Sequence, residues 1–281
     1  MEFFRPLTWE DALAALAAHP DALPVAGGTD VMVDLNFARK RPPALLDLTR
    51  VPELAGWAAD GPVLRIGAGV TYEQIISGLG DLLPGLAMAS RTVGSPQIRN
   101  RGTVGGNLAT GSPAGDAHPP LLATGASVEL ASARGTRVVP VDQFFLGPKR
   151  TVMEAGELIA AFLVEPAKGP QQFAKVGTRN SMVIAVCSLA VALDEESRTV
   201  GTGIGSAAPT PRRAVEAERF AAEALPWDGG VLADATARRF GELVAAASDP
   251  IDDVRGSAAY RRHALAVLGA RALRWAWEGR R

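Results

Sequence analysis

Two short glycine runs carry the residues of this 281-residue chain whose types and spacing suit chemistry. The first is Ala26-Gly27-Gly28-Thr29-Asp30, flanked by Val25 and Val31; the second is Thr103-Val104-Gly105-Gly106-Asn107. The second follows a basic turn, Arg99-Asn100-Arg101, and leads through small residues to Asp116. Paired glycines let a backbone turn sharply and come close to a ligand, because no Cβ blocks positive φ or near approach. Two such turns, each followed by a polar residue, predict one anionic ligand gripped from two sides. A chain with 30 glycines also makes such pairs by chance, so ordinary tight turns are an equal reading of either run alone.

Other chemistries are thinly represented. There is no GxxxxGK(S/T) phosphate loop. The nearest approach to GxGxxG, Gly201-Thr202-Gly203-Ile204-Gly205, breaks the spacing and runs towards prolines, which makes it structural. A single cysteine, Cys187, excludes a disulfide, an iron–sulfur cluster or a cysteine-built zinc site within this chain. Three scattered histidines lack metal-ligand spacing, and His118 and Cys187 read as packing residues. Twenty-nine basic against 30 acidic residues, a formal net charge of -1, argue against a nucleic-acid partner and a polybasic membrane patch. No apolar run approaches the ~20 residues of a membrane span, and the N-terminus lacks a basic-then-apolar leader. A soluble cytoplasmic protein is expected.

The elements that must position these runs follow from local signals. Thr8 caps a helix with Asp11 in its first turn, ended by Pro20. Residues 23–26 form a strand running into the first glycine run, residues 31–37 a helix and residues 44–48 a strand, a β-α-β start. Residues 63–70 give one or two strands, and Thr71 with Gln74 forms a capping box. A helix over 82–91 precedes the second glycine run, whose surroundings are too rich in glycine and proline to be regular. Strands are expected at 127–130, 137–141, 158–164 and 171–176, with a helical turn at 141–145. Beyond Pro170 a second domain begins: an antiparallel pair over 183–193 and 199–205, then helices over 212–224, 231–247 and 257–277, the first capped by Thr210 with Pro211 at its first position.

The segments AGGTDVM, IRNRGTVGGNLATGSPAGD, GELIAAFLVE, FAKVGTR, GSAAPTPRRAVEAE and DVRGSAAYRR together resemble the FAD-binding (medium) subunit of molybdenum hydroxylases, the xanthine dehydrogenase and aerobic carbon monoxide dehydrogenase type. They occur in order over nearly the whole chain. The resemblance implies an α+β fold: a PCMH-type (vanillyl-alcohol-oxidase-like) FAD-binding domain of two α/β subdomains over residues 1–170. A smaller C-terminal domain with an antiparallel sheet and helices would cover 171–281.

The same resemblance places FAD between the two runs. Val25, Ala26, Gly27, Gly28, Thr29, Asp30 and Val31 would wrap its diphosphate with amides, and Thr103, Gly105, Gly106 and Asn107 would close from the other side, a nest that needs no lysine. Asp116 matches a family acid that hydrogen-bonds the ribityl or ring region, Lys175 a lysine near the flavin, and Ile159 an aliphatic position whose backbone meets the cofactor. Val93 stands where some relatives have a flavin-side aromatic and is too small to stack. Val183 replaces an aspartate common in relatives, so any polar function there is absent or supplied elsewhere. Arg99 and Arg101, expected to be partly buried, could contact phosphate, with structural ion pairing the favoured reading for both.

The implied function is that of an electron-transfer subunit with no catalytic acid–base pair of its own. Molybdopterin on a large subunit and two 2Fe-2S clusters on a small subunit would complete a dimer of heterotrimers, with NAD, a quinone or oxygen as final acceptor. AGGTD in place of the AGGHS form leans towards the xanthine-dehydrogenase side. A self-contained flavin oxidase and a flavin-free scaffold or nucleotide-binding adaptor remain open from the residues.

Overall fold

The computed structural model describes residues 1–280. The first layer comprises β1 (Glu2–Phe4), α1 (Trp9–Ala18), β2 (Leu23–Val25), α2 (Val31–Asn36) and β3 (Ala44–Asp47). Its strands are all parallel in the order β1-β3-β2. The central strand β3 is buried at every residue, as the apolar run Ala44-Leu45-Leu46 requires of a strand covered on both faces. Thr8 caps α1 by accepting from the Asp11 amide, and the expected β-α-β start is β2–α2–β3. No residue of α2 is fully buried, so the helix lies on the surface.

The second layer runs through β4 (Trp57–Asp60), β5 (Val63–Gly67), α3 (Tyr72–Gly78), α4 (Pro84–Arg91), α5 (Pro96–Arg99), α6 (Val104–Thr110), α7 (His118–Ala123), β6 (Ser127–Ser132), β7 (Gly135–Pro140), α8 (Val141–Phe144), β8 (Phe145–Gly147), β9 (Arg150–Thr151) and β10 (Leu158–Val164). Five of these strands form an antiparallel sheet, β4-β5-β10-β6-β7, which shares a core with the first layer. The Thr71 capping box is present at the start of α3.

The stretch expected to be irregular is instead three short helices. Ser95 caps α5 through the Ile98 amide, Thr103 caps α6 through the Gly106 amide, and the prolines of α5 and α7 fall in first turns, where no helical N–H is lost. The second glycine run is therefore a helix start. Its glycines sit in the first turn of α6, which ends on left-handed Gly111.

The third layer comprises β11 (Gln171–Val176), β12 (Cys187–Asp194), β13 (Thr199–Gly205), α9 (Val215–Ala224), α10 (Asp234–Ala246) and α11 (Ala258–Glu278). The three strands form an antiparallel meander backed by the helices, with a core of its own. Three expectations fail here. Helix α10 begins at Asp234 and not at 231. Strand β12 begins at Cys187 and not at 183. Helix α9 begins at Val215 because Arg212 pairs with Ile204 and the Ala214 amide donates to Thr202 Oγ1 at 2.8 Å. Buried Glu218 then accepts from the Thr202 amide and hydroxyl and from Arg213. These tertiary bonds outweigh the local cap signal at Thr210.

Strand β13 explains Gly201 and Gly203. A Cβ at either would lie 1.9 Å from the Ala123 carbonyl or 2.0 Å from that of Pro119, so α7 of the second layer rests backbone to backbone on the third. Gln171 Oε1 accepts from the Gly85 amide and the Ser206 amide donates to the Pro113 carbonyl across the same junction. Among the described residues no helix is long and apolar enough to cross a membrane.

Candidate functional site

A cleft of about 520 Å³ opens between the two glycine runs. Its size falls in the ~300–1,000 Å³ range of cofactor sites. One wall is Ala26 through Val31, where β2 gives way to α2; the other is Thr103, Gly105, Gly106 and Asn107 at the head of α6. Ile159 of β10 and Val93 also line it, and Leu16, Ala22, Leu23 and Met153 add apolar surface to the lining. Val25, Asp116 and Lys175 are not part of this lining.

The glycines of each pair divide the work. A Cβ on Gly27 would sit 1.9 Å from the Arg101 carbonyl oxygen, and one on Gly105 would sit 2.5 Å from the Ala68 Cβ and carbonyl oxygen. These two line the cleft, yet the side on which a Cβ would stand is closed by protein backbone, so glycine is needed there for close packing. Their neighbours face the opening: a Cβ on Gly106 would meet only Thr103 Oγ1, at 3.1 Å, and Gly28 holds a left-handed φ of 74° beside the cleft. Such a backbone conformation is strained for any residue with a Cβ.

The first wall offers donors. Asp30 does not cap α2 with its side chain, and among the described residues the amides of Gly28, Thr29, Asp30 and Val31 make no hydrogen bond within the chain. On the second wall the buried Asn107 Oδ1 lacks a hydrogen-bond partner. Unpaired amides beside an open glycine face suit a diphosphate, and an unpaired carbonyl oxygen suits a hydroxyl, so the residues present fit a flavin dinucleotide.

Asp116 and Lys175 are brought together, beside the site. Lys175 Nζ donates to Asp116 Oδ2 at 2.7 Å, to the Thr92 carbonyl at 3.1 Å and to the Val183 carbonyl at 3.2 Å, with both side chains nearly buried. Burial pushes the Asp116 carboxyl above its usual range, while the charge and hydrogen bond of Lys175 pull it back. Asp116 Oδ1 has no partner. Val183 takes part through its carbonyl, which needs no polar side chain.

Several further residues shape the site. Tyr72, at the head of α3, is 3 % exposed yet borders the cleft, and burial holds its hydroxyl pKa well above the ordinary value. His118 is fully buried, with Nε2 3.2 Å from the Asn107 carbonyl, and burial pushes its pKa down to about 4. Neutral His118 thus donates from Nε2 and pins the helix that carries Asn107. Arg99 binds the carbonyls of Arg91, Val93 and Gly94 and lies 4.0 Å from Glu73, so it braces the turn before α6. Arg101 is exposed, contrary to expectation, and makes no ion pair among the described residues; its carbonyl is what meets Gly27. Thr110 reaches Asp30 across the cleft at 3.0 Å. Neither this contact nor the Lys175–Asp116 pair has a local signal in sequence, since the partners lie 80 and 59 positions apart.

Known proteins share this architecture. Residues 1–166 match the family described as the FAD binding domain in molybdopterin dehydrogenase, and residues 172–276 match the CO dehydrogenase flavoprotein C-terminal domain. The chain is 36 % identical over 234 residues to a putative xanthine dehydrogenase FAD-binding subunit of Escherichia coli K12, covering 79 % of each chain. It is 31 % identical to the carbon monoxide dehydrogenase medium chain of Hydrogenophaga pseudoflava, over 98 % of this chain and 96 % of that one. Its structure superposes on a chain of quinoline 2-oxidoreductase from Pseudomonas putida 86 with a TM-score of 0.91 at 25 % identity, covering 99 % and 97 %. With these matches over a cleft whose residues suit a flavin dinucleotide, the chain belongs to the FAD-binding medium subunits of the molybdenum hydroxylases, a family of oxidoreductase flavoproteins.

Proposed function

We propose that this chain is the electron-transfer subunit of a cytoplasmic hydroxylase whose large subunit holds molybdopterin and whose small subunit holds two 2Fe-2S clusters, assembled as a dimer of heterotrimers. The FAD-binding domain is taken as residues 1–170 and the C-terminal domain as 171–281. The observation that carries the reading is the run of unpaired amides from Gly28 to Val31 in the lining of the same cleft as Gly106, whose Cβ side meets only Thr103 Oγ1.

Bound in the cleft, FAD would supply the electron-transfer chemistry between the clusters and NAD, a quinone or oxygen. The chain's own residues bind and orient. Amides of the first wall, with the Thr29 hydroxyl, would take the diphosphate oxygens, for which Gly106 leaves room. Asn107 Oδ1, buried and unpartnered on the cleft wall, would accept from ribityl hydroxyls or a ring N–H, and Asp116 Oδ1, also unpartnered but outside that lining, would be a further acceptor. Lys175 holds Asp116 in place, and its three donors are already engaged by protein oxygens, so its positive charge is fixed in position. No clusters are assigned to this chain: its one cysteine is buried in a core, with its thiol pushed up to about 12 chiefly by desolvation, unsuited to ligation as thiolate.

The test is anaerobic reduction of the flavin. Substrate of the large subunit should bleach the flavin absorbance only when the cluster-bearing chain is present. Bleaching of the isolated, FAD-loaded chain by an organic substrate would overturn the subunit reading in favour of a self-contained oxidase.

A further inference from the structure

We propose that Thr110 is a positioning residue that ties the two walls of the FAD cleft together through Asp30, so that one hydroxyl governs how fast the cofactor leaves. The proposal rests on the reading that the cleft holds FAD. Asp30 stands at the head of α2 on the first wall and Thr110 is the last residue of α6 on the second; both border the cleft. Thr110 Oγ1 lies 3.0 Å from Asp30 Oδ2 and 2.9 Å from the carbonyl oxygen of Gly106, one turn back in its own helix.

A threonine hydroxyl has a single proton to donate. Given to Asp30, it joins the walls; given to Gly106, it leaves them untied. The carboxylate is the stronger acceptor, because hydrogen bonds to ionised groups are shorter and about twice as strong as neutral ones. Asp30 is free for this role: it does not cap α2, and among the described residues no cation pairs with it. The walls also approach at the backbone contact of Gly27 with Arg101, ahead of α6, whereas Thr110 lies at the far end of that helix. The link also answers an electrostatic problem. A carboxylate beside the amides that take a diphosphate repels it, and a donated hydroxyl directed across the cleft holds that charge towards α6.

The experiment measures FAD release from the loaded, full-length protein, followed by the rise in flavin fluorescence after dilution, with thermal melts of the cofactor-free protein in parallel. Thr110→Val should speed release roughly tenfold, as expected for loss of a hydrogen bond to a charged group. Thr110→Ser should restore a rate near wild type. Asp30→Ala should also speed release, and adding it to Thr110→Val should change the rate little further, because both remove the same link. Asp30→Ala alone carries the test if Thr110→Val does not fold. Release within twofold of wild type in either single variant, or fully additive effects in the double variant, overturns the clasp while leaving FAD binding intact. A wild-type chain with no FAD to release overturns the clasp and the underlying reading together.

Discussion

The two glycine runs look alike in sequence but are built differently. Ala26-Gly27-Gly28-Thr29-Asp30 is an uncapped turn with free amides, whereas Thr103-Val104-Gly105-Gly106-Asn107 is a capped helix start whose Gly106 amide is already given to Thr103 Oγ1 at 2.9 Å. Among the described residues the amides of Val104 and Gly105 are also unpaired, so both walls offer donors, and the second adds an acceptor in Asn107 Oδ1. All four glycines line the cleft, but within each run a Cβ on the earlier one would collide with protein backbone while one on the later would not. A glycine pair at a binding site can therefore hold one residue for folding and one for the ligand.

Substitutions separate those roles. Gly27→Ala should have the largest effect on stability: its Cβ would meet a backbone carbonyl at 1.9 Å, which no side-chain movement relieves, at about 4 kcal/mol in chemical denaturation. Gly105→Ala, at 2.5 Å from Ala68, should cost about 3 kcal/mol. Wild-type denaturation midpoints in either variant would erase the distinction drawn between the paired glycines.

Acid should act on the second wall in particular. His118 is held neutral in the fold with its pKa pushed from 6.5 to about 4, so the unfolded chain binds the extra proton. Stability from this group is full above about pH 6.5 and falls as pH drops towards 4, by on the order of 3 kcal/mol across the window. His118→Gln, which keeps a donor for the Asn107 carbonyl, should remove that share of the pH dependence. An unchanged pH profile would show that His118 is not buried as a neutral group. The smallest effect belongs to Gly106→Ala in the cofactor-free chain: the gain in helix propensity over glycine offsets a tight 3.1 Å contact with Thr103, leaving a change of about 0.5 kcal/mol or less.

Much of the frame is legible locally. The Thr8 and Thr71 caps announce their helices through hydroxyls three residues from the amides they satisfy, and β10, β11 and β13 keep their expected bounds because their apolar runs are bracketed by turn residues. Edge strand β4 escapes notice because Trp57 to Asp60 are all exposed and show no alternation of buried residues. What neighbours decide is not legible. Whether Gly27 or Gly28 faces the ligand depends on the Arg101 carbonyl, 74 positions away; the pairing of Lys175 with Asp116 and the start of α9 depend likewise on distant partners. The site was readable as a likeness over several segments, while its internal division of labour required the fold.

The most direct measurement is the amount of FAD that the folded chain holds with a branched side chain on the cleft-facing glycine of the second wall. Purified Gly106→Val should melt as a folded protein yet release no FAD on denaturation after reconstitution, whereas wild type releases one equivalent. A full equivalent of FAD from Gly106→Val would contradict the placement of the cofactor between the two glycine runs.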